Sequence, residues 1–379
     1  MIRAALPVAL VAAAAGCGRA RKPPPAARAI DAGAVAVGPA PAARGFVRGT
    51  VVVAARQGDL VRPLRLDPAT GTWAALGAGD AHLFPTDVVD GDAVLVISAR
   101  GEHEAEHVEQ LAWVRGAAVA PFGPRAASIR NPSGTRAALV FESSERSFRD
   151  LYRVDAGGAL TRLTDDAAGN FEPALSPDGA TVVFSSSRDG DAELYRLPIA
   201  GGRATRLTAS ARDDWGARWS PDGRRLVFLS DREGPPRAFV MAADGTDLRR
   251  LTTETDPAIV EDAPRWSPDG ATIALLRGTT GGGTIALVAV DPPAAPAGAA
   301  PAGAALTPAG ASDTDLAWSP DGGYLLVARR QPPAAPHLAF VRIADGAEVA
   351  QDPIEPLGLR WFATSLATVS PGTAPAPGG

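Results

Sequence analysis

Ser176-Pro177-Asp178-Gly179 returns as Ser220-Pro221-Asp222-Gly223, as Ser267-Pro268-Asp269-Gly270 and as Ser319-Pro320-Asp321-Gly322. Counted serine to serine, the spacings are 44, 47 and 52 residues. A recurrence of roughly 40 to 50 residues marks a chain assembled from stacked supersecondary units, and four-stranded propeller blades are the all-β members of that class. Asn131-Pro132-Ser133-Gly134 reads as a degenerate copy upstream.

The unit is clearest from Asp213 to Thr252. Ala217-Arg218-Trp219 is a short strand, and the Ser-Pro-Asp-Gly turn follows, with proline where φ near −65° is wanted and glycine last. Arg225–Leu229 and Ala238–Met241 supply two further strands, and Asp244-Gly245 turns into a fourth at Leu248–Leu251. Strand, tight turn, strand, loop, strand, tight turn, strand is an antiparallel meander. The same unit fits His82–Phe122, Ala127–Thr164, Asn170–Thr208, Glu261–Thr307 and Ser312–Glu348. The ends, Phe46–Leu76 and Leu359–Phe362, read as one composite blade, which would remove exposed sheet edges. The expected fold is therefore an all-β propeller of four-stranded antiparallel blades, seven in number or else six, closed by strands from both termini. Pro292–Ala305, made only of Ala, Pro and Gly, reads as an enlarged turn.

Trp-Ser-Pro-Asp-Gly, an apolar strand, an Asp/Ser-Arg step, an aliphatic-aromatic strand and Leu-Thr together resemble the WD40-like repeat of TolB-type propellers. The match is closest at Trp219–Thr252 and Leu175–Thr208 and extends to Trp266 and Trp318. The resemblance implies a propeller of a family that includes periplasmic binding scaffolds and propeller domains attached to peptidases. TolB itself carries an extra α/β domain ahead of its propeller, and nothing in this chain reads as one.

Bulk properties bound the class of protein. The chain has 379 residues, 46% hydrophobic, with 41 Gly and 35 Pro to serve turns. A net charge of −5 without a basic run argues against nucleic acid as a partner. Met1-Ile2-Arg3, the apolar run Ala4–Ala15 and Ala14-Ala15-Gly16-Cys17 resemble a bacterial lipoprotein signal, with the sole cysteine, Cys17, as the lipidated residue. Ala14 departs from the leucine usual there, and Gly18 after the cysteine implies the outer membrane. The expected organisation is a signal peptide over 1–17, a Pro/Ala-rich tether over 18–45, the propeller over 46–370 and a tail over 371–379. The expected location is the periplasm-facing cell envelope, with a monomer held to the membrane through Cys17.

Topology predicts which charges share a face. Acids precede the first strand of successive units (Asp87, Glu172, Asp213, Asp214, Glu261, Asp262, Asp313, Asp315), and arginines follow the second (Arg100, Arg188, Arg232, Arg277, Arg329). Because the second strand runs back, both sets should ring the channel mouth. They either staple blades or dock a partner. Arg188, Arg232, Asp214, Asp262, Glu172 and Asp313 are the expected contacts for an envelope protein or peptide, with Trp215 as a candidate aromatic.

Chemistry is less well marked. His103-Glu104-Ala105-Glu106-His107 matches the zinc-protease pattern, but it falls between two strands of a blade. Histidines four apart on extended chain are separated by roughly 13 Å, too far to share one metal. No Gly-x-Ser-x-Gly elbow or P-loop is present, and Gly281-Gly282-Gly283 reads as a hairpin loop. The expectation is a non-catalytic binding scaffold without metal or cofactor. The alternative is a hydrolase or lyase with its site at the channel mouth.

Overall fold

The computed structural model describes residues 44–362 except 91–92, 101–107, 127, 136, 145–148, 280–281, 292–305 and 355. The lipobox, Cys17, the tether through residue 43, the His103–His107 segment and all of Pro292–Ala305 lie outside the described residues. Those described form antiparallel strands, with no helix among them. Five sheets have four strands each and one has seven.

The seven-stranded sheet runs from Val260–Trp266 to Glu348–Asp352 and is joined in its middle by a single pairing, Gly283 with Asp313. On either side of that seam it is an ordinary meander. The first strands touch one another in a closed cycle. The order is Gly358–Phe362, His82–Asp90, Ile129–Thr135, Asn170–Leu175, Asp214–Trp219, Val260–Trp266, Ser312–Trp318 and back to Gly358–Phe362. A cycle of innermost strands is the geometry of a propeller.

Both termini share one sheet, as the leftover end strands imply. Gly358–Phe362 pairs with Thr50–Gln57, Thr50 opposite Phe362 and Ala54 opposite Gly358. Arg44, ahead of this sheet, is tied to the last strand of the seven-stranded sheet by an ion pair of 2.7 Å with Asp352, both buried, with the Arg44 guanidinium over the Phe340 ring.

Packing between sheets explains why the second strands read as unbroken apolar runs instead of alternating ones. Each is covered on both faces. Val182 and Phe184 pack with Val140 and Leu151 of the preceding sheet. Val183, between them in sequence, packs with Leu226, Phe228 and Met241 of the following sheet. The strand period of two thus splits one run between two inter-sheet cores. Each fully buried phenylalanine contributes roughly 1.5–3 kcal/mol of transfer free energy.

The repeated turns are stereotyped. The serine Oγ donates to its aspartate Oδ1 at 2.5–2.6 Å and accepts the N–H five residues on at 2.9 Å. The same Oδ1 accepts the N–H two residues past the aspartate. The glycine N–H returns to the serine carbonyl, with glycine φ near +70° at Gly179, Gly223, Gly270 and Gly322, a region that costs a side chain energy. Tryptophan before the serine ties three of the four turns to the preceding meander; Leu175 stands in that place before Ser176. Trp219 Nε1 donates to the Ala174 carbonyl at 3.0 Å, Trp266 to Arg218 at 3.1 Å and Trp318 to Arg265 at 3.2 Å.

Asn131-Pro132-Ser133-Gly134 is not a copy of this turn. It lies inside the strand Ile129–Thr135, and the hairpin falls later, where Thr135 pairs with Ala138. Asn131 instead occupies the bulge of a first strand, with φ 49°, and Ser133 Oγ accepts the Leu175 N–H at 3.0 Å. A proline and a glycine mimic the turn composition, but the serine-to-aspartate bond that shapes the other turns has no counterpart there.

Candidate functional site

The end of each blade opposite these turns carries the predicted charges. The topology argument holds in detail: Asn170 lies opposite Ser186, Asp214 opposite Ser230, Glu261 opposite Arg277 and Asp313 opposite Arg329. Each pair brings the start of a first strand to the end of a second.

Arg232 shows how these cations are held. It donates to Asp214 Oδ2 at 2.6 Å and to Ser230 Oγ at 2.9 Å, and its guanidinium lies 4.9 Å from the Phe239 ring centroid. Arg188 repeats the arrangement one sheet earlier. It reaches Ser186 Oγ at 3.0 Å and Asn170 Oδ1 at 2.9 Å, over the Tyr195 ring at 4.5 Å. Asparagine stands where the next sheet has Asp214, so the compensating charge comes from Asp166, 2.9 Å away. Arg277 pairs with Glu261 at 3.3 Å. Arg329 is fully buried and donates to Asp313, to Glu348 and to the Leu306 carbonyl.

The predicted residues therefore divide. Asp214 and Asp313 are 0% exposed, each beneath its arginine, so neither carboxylate faces solvent. Arg188 and Arg232 keep 25% and 19% of their side-chain surface exposed. Asp262 is exposed, and its carboxylate accepts the Ala263 N–H at 2.6 Å. Glu172 lies in the bulge of its first strand with φ 51° and accepts the Gly216 N–H of the next sheet at 2.9 Å. Burial raises the Glu172 carboxyl above its ordinary range against the opposing pull of Arg218. Trp215 is half-buried against the core of the following sheet.

Two elements were not anticipated. The Leu-Thr step closing several repeats seats a buried acid. Thr208 Oγ1 donates to Glu193 at 2.6 Å, Thr252 to Glu261 at 2.8 Å and Thr307 to Asp313 at 2.6 Å. The threonine is visible in sequence, but its partner lies up to 15 residues away and shares no fixed position. The second is Glu142, 1% exposed at the end of a second strand. Its Oε1 accepts from Asn131 Nδ2 at 2.5 Å, while Oε2 has no hydrogen-bond partner among the described residues and lies 3.6 Å from Arg149. Burial pushes its carboxyl up to about 7, with Arg149 opposing and Glu172 adding to the rise. A strand ending in Glu142-Ser143 carries no sequence signal of this. Among the described residues, no group of three or more His, Cys, Asp or Glu is arranged to hold a metal ion.

The TolB beta propeller domain family matches residues 170–347. Among solved structures, puromycin hydrolase is similar at 17% identity, covering 84% of this chain and 55% of that one, with a TM-score of 0.59. Oligogalacturonate lyase in complex with manganese is similar at 14% identity over 82% of this chain and 86% of that one, TM-score 0.52. TolB from Acinetobacter baumannii is similar at 19% identity over 82% and 80%, TM-score 0.47. The chain spans only about half of the hydrolase. At such identities the likeness to the hydrolase and the lyase establishes the fold and leaves their chemistry with them. The segment 170–347, which carries all four Ser-Pro-Asp-Gly turns, belongs to the TolB-type β-propeller family.

Proposed function

We propose that this protein is a non-catalytic binding scaffold of the bacterial envelope, a seven-bladed ring that recognises a protein or peptide partner at its charged mouth. The observation that carries this reading is the state of the mouth arginines. Arg188 and Arg232 are each fixed by a carboxylate and seated on an aromatic ring, yet keep part of the guanidinium exposed. Cations held in advance lose little entropy when they meet a partner's carboxylates or carbonyls. Arg188, Arg232, Glu172 and Asp262 would face the partner, with Asp214 and Asp313 as buried supports. The closed cycle of first strands supports the blade count.

The apolar run Ala4–Ala15 and the placement of Cys17 support export and a lipid anchor, from which the residues between Cys17 and the buried Arg44 would hold the ring away from the membrane. The test is in-cell crosslinking with the full-length tagged protein, comparing wild type with Arg188→Gln/Arg232→Gln/Asp262→Asn and with Cys17→Ala. One envelope protein recovered with wild type and lost from the folded triple variant is the expected result. Equal recovery from both would refute the assignment of the mouth.

One observation favours a second reading, a hydrolase or lyase site at the channel mouth. Glu142 is a buried carboxyl raised to about 7, beside Glu172 and with one oxygen unpartnered, the environment of a general acid or base. Turnover of a peptide or uronate-type substrate, abolished by Glu142→Gln, would decide for it.

A further inference from the structure

We propose that the groove between Thr181 and Trp219, at the turn end of the propeller, is a binding site for an arginine side chain carried by a partner polypeptide. The argument comes from the next inter-sheet junction, where this protein places an arginine of its own. There Arg225 lies with its guanidinium 5.6 Å from the Trp266 ring centroid and bonds Asp291 at 2.5 Å, and Arg249 reaches Asp291 at 3.3 Å.

The preceding junction keeps the receiving groups and lacks the counterparts of Arg225 and Arg249, although Arg196 stands there where the next sheet has Val240. Thr181 stands five residues after Ser176 as Arg225 stands five after Ser220, and the N–H of each bonds its serine. Thr205, opposite Arg196, takes the place that Arg249 holds opposite Val240. Trp219 corresponds to Trp266, and their indoles make the same bond to the preceding sheet. Asp244 corresponds to Asp291, because Ala243 bonds the Arg224 carbonyl as Val290 bonds that of Ala271.

Where Thr181 replaces the arginine, a cavity of about 230 Å³ is lined by Thr181, Trp219, Asp178, Asp222 and Arg196 among others. The serine bonds of the turns hold Asp178 and Asp222 below the ordinary carboxylate range, and those bonds use Oδ1, not Oδ2. Asp178 and Asp222 line the cavity with one cation, Arg196, and the half-buried Trp219; Asp244 follows the lining residue Ala243 and is close enough to Arg196 for that cation to help lower its carboxyl. A guanidinium matches this set in charge, in planarity and in the precedent of Arg225. The third junction offers no such space: Trp318 is 9% exposed and packs with Ile343.

This site lies at the opposite end from the mouth, so its failure would leave the proposed function standing. The test is titration of the full-length protein with N-acetyl-arginine amide, read at the Trp219 indole N–H resonance and assigned with Trp219→Phe. Saturable binding is expected, at least roughly five-fold weaker for the N-acetyl-citrulline amide. Thr181→Arg, which supplies the missing side chain, should abolish it. Arg225→Thr should open a second site at Trp266. A Gly-Arg-Gly peptide should bind at least as well as the amide. Absent saturation, undiminished binding in folded Thr181→Arg or equal binding of the citrulline probe would overturn the proposal. Tighter binding of free arginine than of the peptide would overturn the assignment to a partner polypeptide.

Discussion

The Trp219 indole N–H reaches the Ala174 carbonyl 45 residues earlier, at 3.0 Å, and so binds the turn of one sheet to the inner strand of the sheet before it. Trp266 and Trp318 repeat the contact with Arg218 and Arg265. Adjacent turns also touch directly: a Cβ placed on Gly223 would meet Pro177 at 3.6 Å, and one on Gly270 would meet Pro221 at the same distance. The repeat is therefore a connector between blades as well as a hairpin within one.

Trp266→Phe removes the connecting bond while keeping most of the apolar surface. The Arg218 carbonyl loses its donor, and stability should fall by about 1–3 kcal/mol, measured by urea unfolding. Phe228→Ala, inside the inter-sheet core, should cost about 3–5 kcal/mol. A tryptophan effect near zero would mean that the bond is optional to the ring.

The turn aspartates predict a pH dependence. Serine hydroxyl bonds lower the Asp178, Asp222 and Asp269 carboxyls, and those of Asp321 are lowered in spite of burial. A carboxyl whose folded pKa lies below its unfolded one contributes stability that is present above about pH 4 and is lost as pH falls through the folded value. Ser220→Ala should therefore destabilise at neutral pH and have less effect in acid, as read from thermal unfolding at pH 7 and pH 3.

Glu142 predicts the opposite slope. Its carboxyl rises from 4.5 to about 7 in the fold, so the native state holds the extra proton between those values. Stability at this residue falls as pH rises from about 4.5 to 7 and stays lowered above it, by roughly 3 kcal/mol. Glu142→Gln should stabilise the protein at pH 8 and change little at pH 4. A variant that is destabilised at both would place the charged form, not the neutral one, in the native state.

Arg329 is fully buried between Asp313 and Glu348. Arg329→Met leaves the Asp313 carboxylate buried without its cation and should cost about 3–5 kcal/mol. Replacing both, with Asp313→Leu added, should recover part of that loss; a double variant worse than the single would contradict this account of the pair.

The fold was legible because its code is local. Ser-Pro-Asp-Gly closes a hairpin through bonds within five residues, and the apolar runs between turns need no distant partner to be read as strands. The composite closing sheet was legible by subtraction, since Leu359–Phe362 had no complete unit of its own. The site was legible only in part. Strand direction places Arg188 and Asp214 on one face, but it says nothing of depth, and Asp214 is buried while Asp262 is exposed. Asn131 misled because composition resembles a turn where only the serine-to-aspartate bond makes one. Glu142 was invisible because its environment is made by Asn131 and Arg149, side chains that the sequence alone gives no reason to bring together.

The most direct test of a binding mouth is photo-crosslinking in cells from a reactive amino acid at position 262, with position 321, an exposed turn-end site outside the Thr181–Trp219 groove, as the control. A single covalent adduct from position 262, absent when Arg188 and Arg232 are both glutamine in a folded protein, is the result expected of a partner held at the mouth. No adduct from position 262, or an adduct indifferent to both arginines, would contradict it.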